Sequence, residues 1–236
     1  MDAIKLFCLP YAGGSSAFYG KWRAALAPDI ELVFVELSGR GMRFGEKLYQ
    51  SFEQAVEDVY TTIRAQIKAD EPYAIFGHSM GALLAFEAVQ KMQQAQQNVP
   101  DWLFLSAKKP PIEKYHEKMD THTLSRQAFC AHLKELGGTP QEFFDSEALQ
   151  DLFLPIIRAD YRILSQHRPN PNIQRLNSQL IILNGKEDIQ EKDVLEWEEL
   201  TNKTCDFHFF TGGHFYIQKH VATVHQLIRN KLGKQL

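Results

Sequence analysis

Tyr73-Ala74-Ile75-Phe76-Gly77-His78-Ser79-Met80-Gly81-Ala82 is the stretch from which the fold is read. A short apolar run leads into G-x-S-x-G, and a helical pattern follows through Leu83, Leu84, Phe86, Glu87 and Val89. Strand, sharp turn, helix is the setting in which this motif lifts a serine onto a strained elbow, its hydroxyl exposed above the carboxyl end of a sheet. Gly77 and Gly81 suit the junction because side chains there would collide across the turn. The helix start behind Ser79 adds free backbone N–H groups and a positive dipole end beside any developing anion. Without its flanks, G-x-S-x-G is only a glycine-flanked turn with a serine cap.

Working outward, the upstream run Ile4 to Leu9 reads as a buried strand and ends in Pro10-Tyr11-Ala12-Gly13-Gly14-Ser15-Ser16. Around a nucleophile elbow of this kind, one oxyanion donor comes from the loop after such a strand and the other from the residue after the serine. The backbone N–H groups of Ala12 and Met80 fill those places. Ser15 or Ser16 then caps a helix carrying Phe18, Trp22 and Leu26. Glu31 to Leu37 is the next strand, with Leu32, Val33, Phe34 and Val35 continuously apolar as in a sheet covered on both faces. Ser38-Gly39-Arg40 follows as a loop in which Arg40 reads as a solvated charge or as one half of a structural ion pair. Ser51, with Gln54 three residues on, opens a helix as a capping box.

Downstream of the elbow, Trp102 to Ala107 is a strand, and strands recur at Gln179 to Asn184 and Phe207 to Phe210. Between the first two, residues 112–166 show helical periodicity and no strand, broken at Gly137-Gly138-Thr139-Pro140 and again near Leu154-Pro155. An insertion this long exceeds an ordinary connection, and two readings of it stand: a lid that roofs the site, or a packed helical subdomain with no gating role. Strands alternating with helices give an α/β-hydrolase fold: residues 1–236 as one domain, a mostly parallel central sheet with helices on both faces, and 112–166 as the helical lid within it.

A serine nucleophile needs a base within hydrogen-bond reach and an acid to orient that base. The chain order Ser, Asp, His is the hydrolase order. Asp188 follows one late strand and His214 the next, so both would project from the sheet edge that carries Ser79. Nine histidines compete for the role. His78 should be turned away by the elbow; His116, His122, His132 and His167 fall with the helical region; His208 lies in a strand; His220 and His225 lie on the last helix. His214 alone sits in a glycine loop, Thr211-Gly212-Gly213-His214-Phe215, after a late strand. Glu187, Asp193 and Asp206 are the rival acids, each directed elsewhere by its place in the sequence.

Composition narrows the classes. The 236 residues are 44% hydrophobic and 23% charged, which suits a globular chain with a sizeable core. A net charge of -3 speaks against a nucleic-acid binder. No apolar run reaches the length of a membrane span, and Met1 to Phe7 lacks the layout of a secretory signal. Cys8, Cys130 and Cys205 are too scattered for a disulfide framework or zinc site. A cytoplasmic monomer is therefore expected, with no membrane or nucleic-acid partner.

Several segments together resemble the type II thioesterases that accompany nonribosomal peptide and polyketide synthases. Leu9-Pro10-Tyr11-Ala12-Gly13-Gly14-Ser15 is similar to their oxyanion loop, Gly77-His78-Ser79-Met80-Gly81 to their elbow, and Gly212-Gly213-His214-Phe215 to their histidine loop. Gly137-Gly138-Thr139-Pro140 and Leu154-Pro155-Ile156-Ile157-Arg158-Ala159-Asp160-Tyr161 are similar to their lid signatures. One departure is Ser38-Gly39-Arg40, where the family usually has Pro-Gly-Arg. The resemblance implies hydrolysis of acyl groups from the phosphopantetheine arm of carrier proteins, with Ser79, Asp188 and His214 catalytic, Ala12 and Met80 as oxyanion donors, and neither metal nor cofactor. Carrier domains are usually acidic near the arm, so Lys108, Lys109, Lys114 and Lys118 are docking candidates, each of which also reads as an ordinary solvated charge. Two other readings stand beside it: a carboxylesterase or lipase acting on free small esters, and a hydrolase-fold binding module without turnover.

Overall fold

The computed structural model describes residues 3–69, 71–115 and 120–233. Six strands, β1 (Ile4–Leu9), β2 (Ile30–Phe34), β3 (Tyr73–His78), β4 (Trp102–Ser106), β5 (Gln179–Gly185) and β6 (Cys205–Phe210), form one sheet in the order β2-β1-β3-β4-β5-β6. Every neighbouring pair is parallel. The central strands are buried along their whole length because helices cover both faces, which their unbroken apolar sequence requires. Strand order reverses between β1 and β3, and the crevice outside such a switch point is where open α/β sheets bind ligands. The two loops that the sequence assigns to the oxyanion hole and the nucleophile leave the sheet at that point.

On one face pack α2 (Phe52–Arg64) and α3 (Met80–Gln94), joined by α7 (Glu191–Leu195). On the other lie α1 (Trp22–Leu26), α8 (Tyr216–Lys219) and α9 (Val221–Leu232). Caps set several starts: the Ser51 hydroxyl accepts from Gln54 N, while the Gln54 side chain accepts from Gln50 N, one residue before the usual box partner. The first predicted helix is divided into a tight turn at Ser16–Tyr19, capped by Ser15, and the separate α1. β2 ends three residues before the predicted limit of Leu37. Val35 and Leu37 are still buried, so they fill the core without extending the ladder.

Between β4 and β5, α4 (Arg126–Leu136), α5 (Gln141–Asp145) and α6 (Glu147–Gln166) build a third cluster from Phe129, Leu133, Phe143, Leu154, Ile157 and Tyr161. The predicted break at Leu154-Pro155 is absent. The boundary lies instead at Ser146, whose hydroxyl caps Leu149 N, and Pro155 sits inside one continuous helix. Proline forfeits one rung of the ladder. The buried stripe Leu154, Ile156, Ile157, Tyr161 and Ile163 holds the two halves in line. His116 and Lys118 lie outside the described residues.

Candidate active site

Ser79 follows β3 with φ 56° and ψ -114°, a backbone that non-glycine residues rarely adopt and that a tight surrounding must enforce. Part of that enforcement is the hydrogen bond from Ser79 N to Ser106 O at 2.8 Å. The two flanking glycines act differently. A Cβ on Gly77 would stand 2.3 Å from Gly81 O, within the turn, whereas one on Gly81 would stand 2.4 Å from Leu9 O and 2.6 Å from Pro10 O. Gly81 thus lets the β1 loop press against the start of α3, which brings Ala12 and Met80 to the same place. As the first residue of α3, Met80 has no intrahelical acceptor for its N–H, and the Ala12 N–H has no acceptor among the described residues.

His214 Nε2 lies 2.8 Å from Ser79 Oγ, and His214 Nδ1 lies 2.9 Å from Asp188 Oδ2. An ionised carboxylate only accepts, so Nδ1–H donates to Asp188 and Nε2 is left to accept from the serine O–H. Backbone bonds carry the β5–β6 register into both loops: Lys186 N donates to Phe210 O at 2.8 Å and Glu187 N to Gly212 O at 3.1 Å. Gly185 permits this approach, since a Cβ there would lie 2.4 Å from the carbonyls of Gly212 and Gly213.

The rival acids are engaged elsewhere. Glu187 Oε1 accepts from Gly212 N at 3.3 Å, Asp193 pairs with Lys109 at 3.0 Å, and Asp206 pairs with Lys231. Among the histidines, His78 is fully buried with Nδ1 2.8 Å from Ser106 Oγ, and Ser106 Oγ is 2.6 Å from Tyr216 OH. Burial, and then the neighbouring His214, hold the His78 pKa well below the ordinary imidazole range. His220 bonds Thr211 at the open edge of β6, where a groove of about 440 Å³ contains none of Ser79, Asp188 or His214.

Those three residues and Ala12 line a cavity of about 420 Å³, roofed by His132, Leu136 and Tyr161 of the helical insertion. A second, mainly apolar cavity of about 250 Å³ adjoins it at Ala12, Leu136 and Tyr161 and runs beneath Phe143, Phe153 and Ile157. Gly138 of the insertion packs on the ring of Phe215, the residue after His214; a Cβ there would fall 2.5 Å from the ring.

Sequence reasoning missed several of these side chains. His132 and His167, which the sequence places with the helical region, both line the larger cavity, with His132 Nε2 3.3 Å from Tyr161 OH and His167 Nε2 2.8 Å from Glu87 Oε1. Arg40 is 3% exposed and forms a two-pronged pair with Asp160 of α6, so of its two sequence readings the ion pair holds and the solvated charge does not; the partner itself was not named. Lys108 lines the cavity rather than the outer surface. Burial lowers its pKa, partly offset by Asp188. No local pattern marks these positions, because each depends on a partner far along the chain.

The sequence model of the Thioesterase domain matches residues 4–232. The chain belongs to the thioesterase family. A thioesterase of this fold is a hydrolase of acyl thioesters, and its relatives span several synthase systems. The human S-acyl fatty acid synthase thioesterase, medium chain, is 34% identical over 216 residues, covering 91% of this thioesterase and 81% of the human protein. The crystal structure of ClbQ from the colibactin NRPS/PKS pathway superposes with a TM-score of 0.91 at 34% identity, covering 98% of each chain. The type II thioesterase BorB from the borrelidin biosynthetic cluster superposes with a TM-score of 0.87 at 33% identity, covering 98% of this thioesterase and 93% of BorB. Among the described residues no helix is long and apolar enough to cross a membrane.

Proposed function

We propose that this thioesterase is of type II and removes acyl groups from the phosphopantetheine arm of carrier proteins in nonribosomal peptide or polyketide assembly, freeing stalled synthases, with Ser79, His214 and Asp188 as its catalytic triad. The observation that carries the reading is His214 bridging Ser79 Oγ and Asp188 Oδ2 at 2.8 and 2.9 Å. In the first half-reaction His214 Nε2 takes the Ser79 proton as Oγ attacks the thioester carbonyl. Asp188 stabilises the imidazolium that results. The amides of Ala12 and Met80 hold the tetrahedral oxyanion, and collapse expels the pantetheine thiol, which receives the proton from His214. In the second half, His214 activates water against the acyl-serine. The free acid leaves and Ser79 Oγ–H is restored.

The chain acts as a monomer with residues 112–166 as a lid, and the apolar cavity under Phe143 and Ile157 takes the acyl chain. Of the docking lysines, Lys109 and Lys114 are paired with Asp193 and Glu196, which weakens the case for either as a free docking charge. Lys108 faces the site instead of the outer surface, and Lys118 lies outside the described residues. Hydrolysis of free small esters by the same triad is the competing activity. A non-catalytic module is disfavoured by three intact, mutually bonded side chains.

The deciding experiment presents the purified protein with carriers loaded with acetyl, medium-chain, aminoacyl and malonyl groups and reads deacylation by intact-protein mass spectrometry, beside hydrolysis of aryl esters. Deacylation of carriers with kcat/KM above that for free esters is expected. Rapid aryl-ester turnover with inert carriers would replace the editing role with an esterase.

A further inference from the structure

Asp160, on α6, does more than neutralise Arg40. Its Oδ2 accepts the Gly13 N–H at 2.7 Å and also a bond from Arg40 Nη1, while Oδ1 accepts from Arg40 Nη2 at 2.7 Å. Both charged side chains are nearly inaccessible, 3% and 2% exposed. Gly13 is the residue after Ala12 and occupies the third place of a turn closed by Gly14 N to Tyr11 O at 2.9 Å, with φ +76°. That is the type II arrangement, which turns on the orientation of the Ala12–Gly13 peptide. A glycine turn does not fix this orientation by itself, because the alternative with the peptide flipped is equally open to glycine. Two residues of α6 fix it from outside. Ile157 leaves no room for a side chain at Gly13, where a Cβ would fall 2.5 Å from Ile157 Cγ1, and Asp160 accepts the N–H. They stand three residues apart on one helix face.

We propose that Arg40 and Asp160 are positioning residues for the oxyanion loop, holding the Ala12–Gly13 peptide so that Ala12 presents its N–H to the reacting carbonyl. The two-pronged bond from Arg40 fixes the direction in which both carboxylate oxygens of Asp160 point, leaving Oδ2 aimed at the Gly13 N–H. An ionised carboxylate accepts an N–H and repels a carbonyl oxygen, so it selects one face of the peptide. A flip would bring the Ala12 carbonyl towards Asp160 and change the backbone on both sides of that peptide, Ala12 included. A buried pair is a poor device for stability alone, since apolar residues of similar volume often replace one without loss. The inference rests on the proposed role of the Ala12 amide.

The test compares the parent with Asp160→Asn and with the double variant Arg40→Met/Asp160→Leu, which leaves no unpaired buried charge. Turnover of an acyl-pantetheine thioester, the thermal melt, and affinity for an acyl trifluoromethyl ketone that forms a tetrahedral adduct on Ser79 are measured. The double variant is expected to melt cooperatively near the parent, with KM little changed, kcat down roughly 10- to 100-fold, and a matching loss of ketone affinity, as for weakening one oxyanion donor. Parent-like kcat in a variant with a native melt overturns the proposal. If neither variant folds, amide hydrogen exchange in the parent decides: Gly13 is expected to exchange roughly hundredfold more slowly than Ala12, whose N–H is unbonded, and equal rates overturn it. A parent that deacylates no thioester at all refutes the triad reading instead, which keeps the two failures apart.

Discussion

His214 has two bonded neighbours, and each fixes the state of one ring nitrogen. Asp188 can only accept, so Nδ1 carries the proton and Nε2 stays free to take the one on Ser79. Asp188→Asn keeps the size and removes that rule: the amide N–H₂ turned towards Nδ1 would move the ring proton to Nε2, where it blocks proton uptake. Steady-state kinetics on Asp188→Asn should show kcat reduced by about 10⁴-fold, the loss known for the same substitution in a serine protease, with the melting transition retained. Ser79→Ala should abolish hydrolysis and also keep its melt. Near-normal turnover in Asp188→Asn would reassign the acid, although Glu187, Asp193 and Asp206 each have another partner. That Ser79, Asp188 and His214 come together was legible in the sequence because their signals are local: a glycine that must lack a Cβ, a strand that ends, an acid one turn beyond it. The partner of Arg40 was not: the sequence left a solvated charge and an ion pair both open there, and nothing local pointed to Asp160. The two residues are 120 residues apart, and a charge destined for burial looks, in sequence, like any surface arginine.

At the scale of elements, the insertion is not one body. α6 is tied to the main fold by Ile163 in the central core, by the Arg40–Asp160 pair, by Arg162 Nη2 donating to Tyr49 O at 3.1 Å, and by His167 on Glu87 at 2.8 Å. α4 and α5 are held chiefly through the small third cluster and by Gly138 on Phe215. Opening free energy follows buried contacts, so α4 and α5 should open while α6 stays shut. Hydrogen exchange should show faster exchange over residues 126–145 than over residues 156–166, and acyl-loaded carrier should slow exchange only in the first segment. Uniform exchange across residues 126–166 would restore the whole insertion as a single moving lid. The sequence showed that the region is helical, since its periodicity is clear. It did not show this division, because Pro155 suggested a break where packing on both sides keeps α6 whole.

For the molecule as a whole, reversal of strand order gathers the ends of β1, β3, β5 and β6 at one rim, and that convergence places a second imidazole beside the first. The rings of His78 and His214 are 5.4 Å apart. A cation on His78 would oppose the imidazolium that the proposed mechanism forms on His214. Burial keeps His78 neutral, and among the described residues its Nε2 has no hydrogen-bond partner. Neutrality at that position has a consequence for stability. Unfolding returns His78 to an ordinary pKa near 6.5, above its native value, so below pH 6.5 the unfolded chain binds a proton that the native chain refuses. The contribution is intact above pH 6.5 and is lost as pH falls from there towards the native pKa. Between pH 7.5 and 5.5 this one group should therefore lower stability. His208 and His225, whose pKa values burial also lowers, act in the same direction. Carboxylates whose pKa values lie lowered by partners, such as Glu71 beside Lys68 and Lys5, titrate below this window. Urea unfolding at the two pH values, for the parent and for His78→Asn, separates the contribution: the parent should lose more stability than the variant. Equal losses would mean that His78 takes up its proton in the folded chain, and a charged neighbour would then stand against His214 throughout turnover.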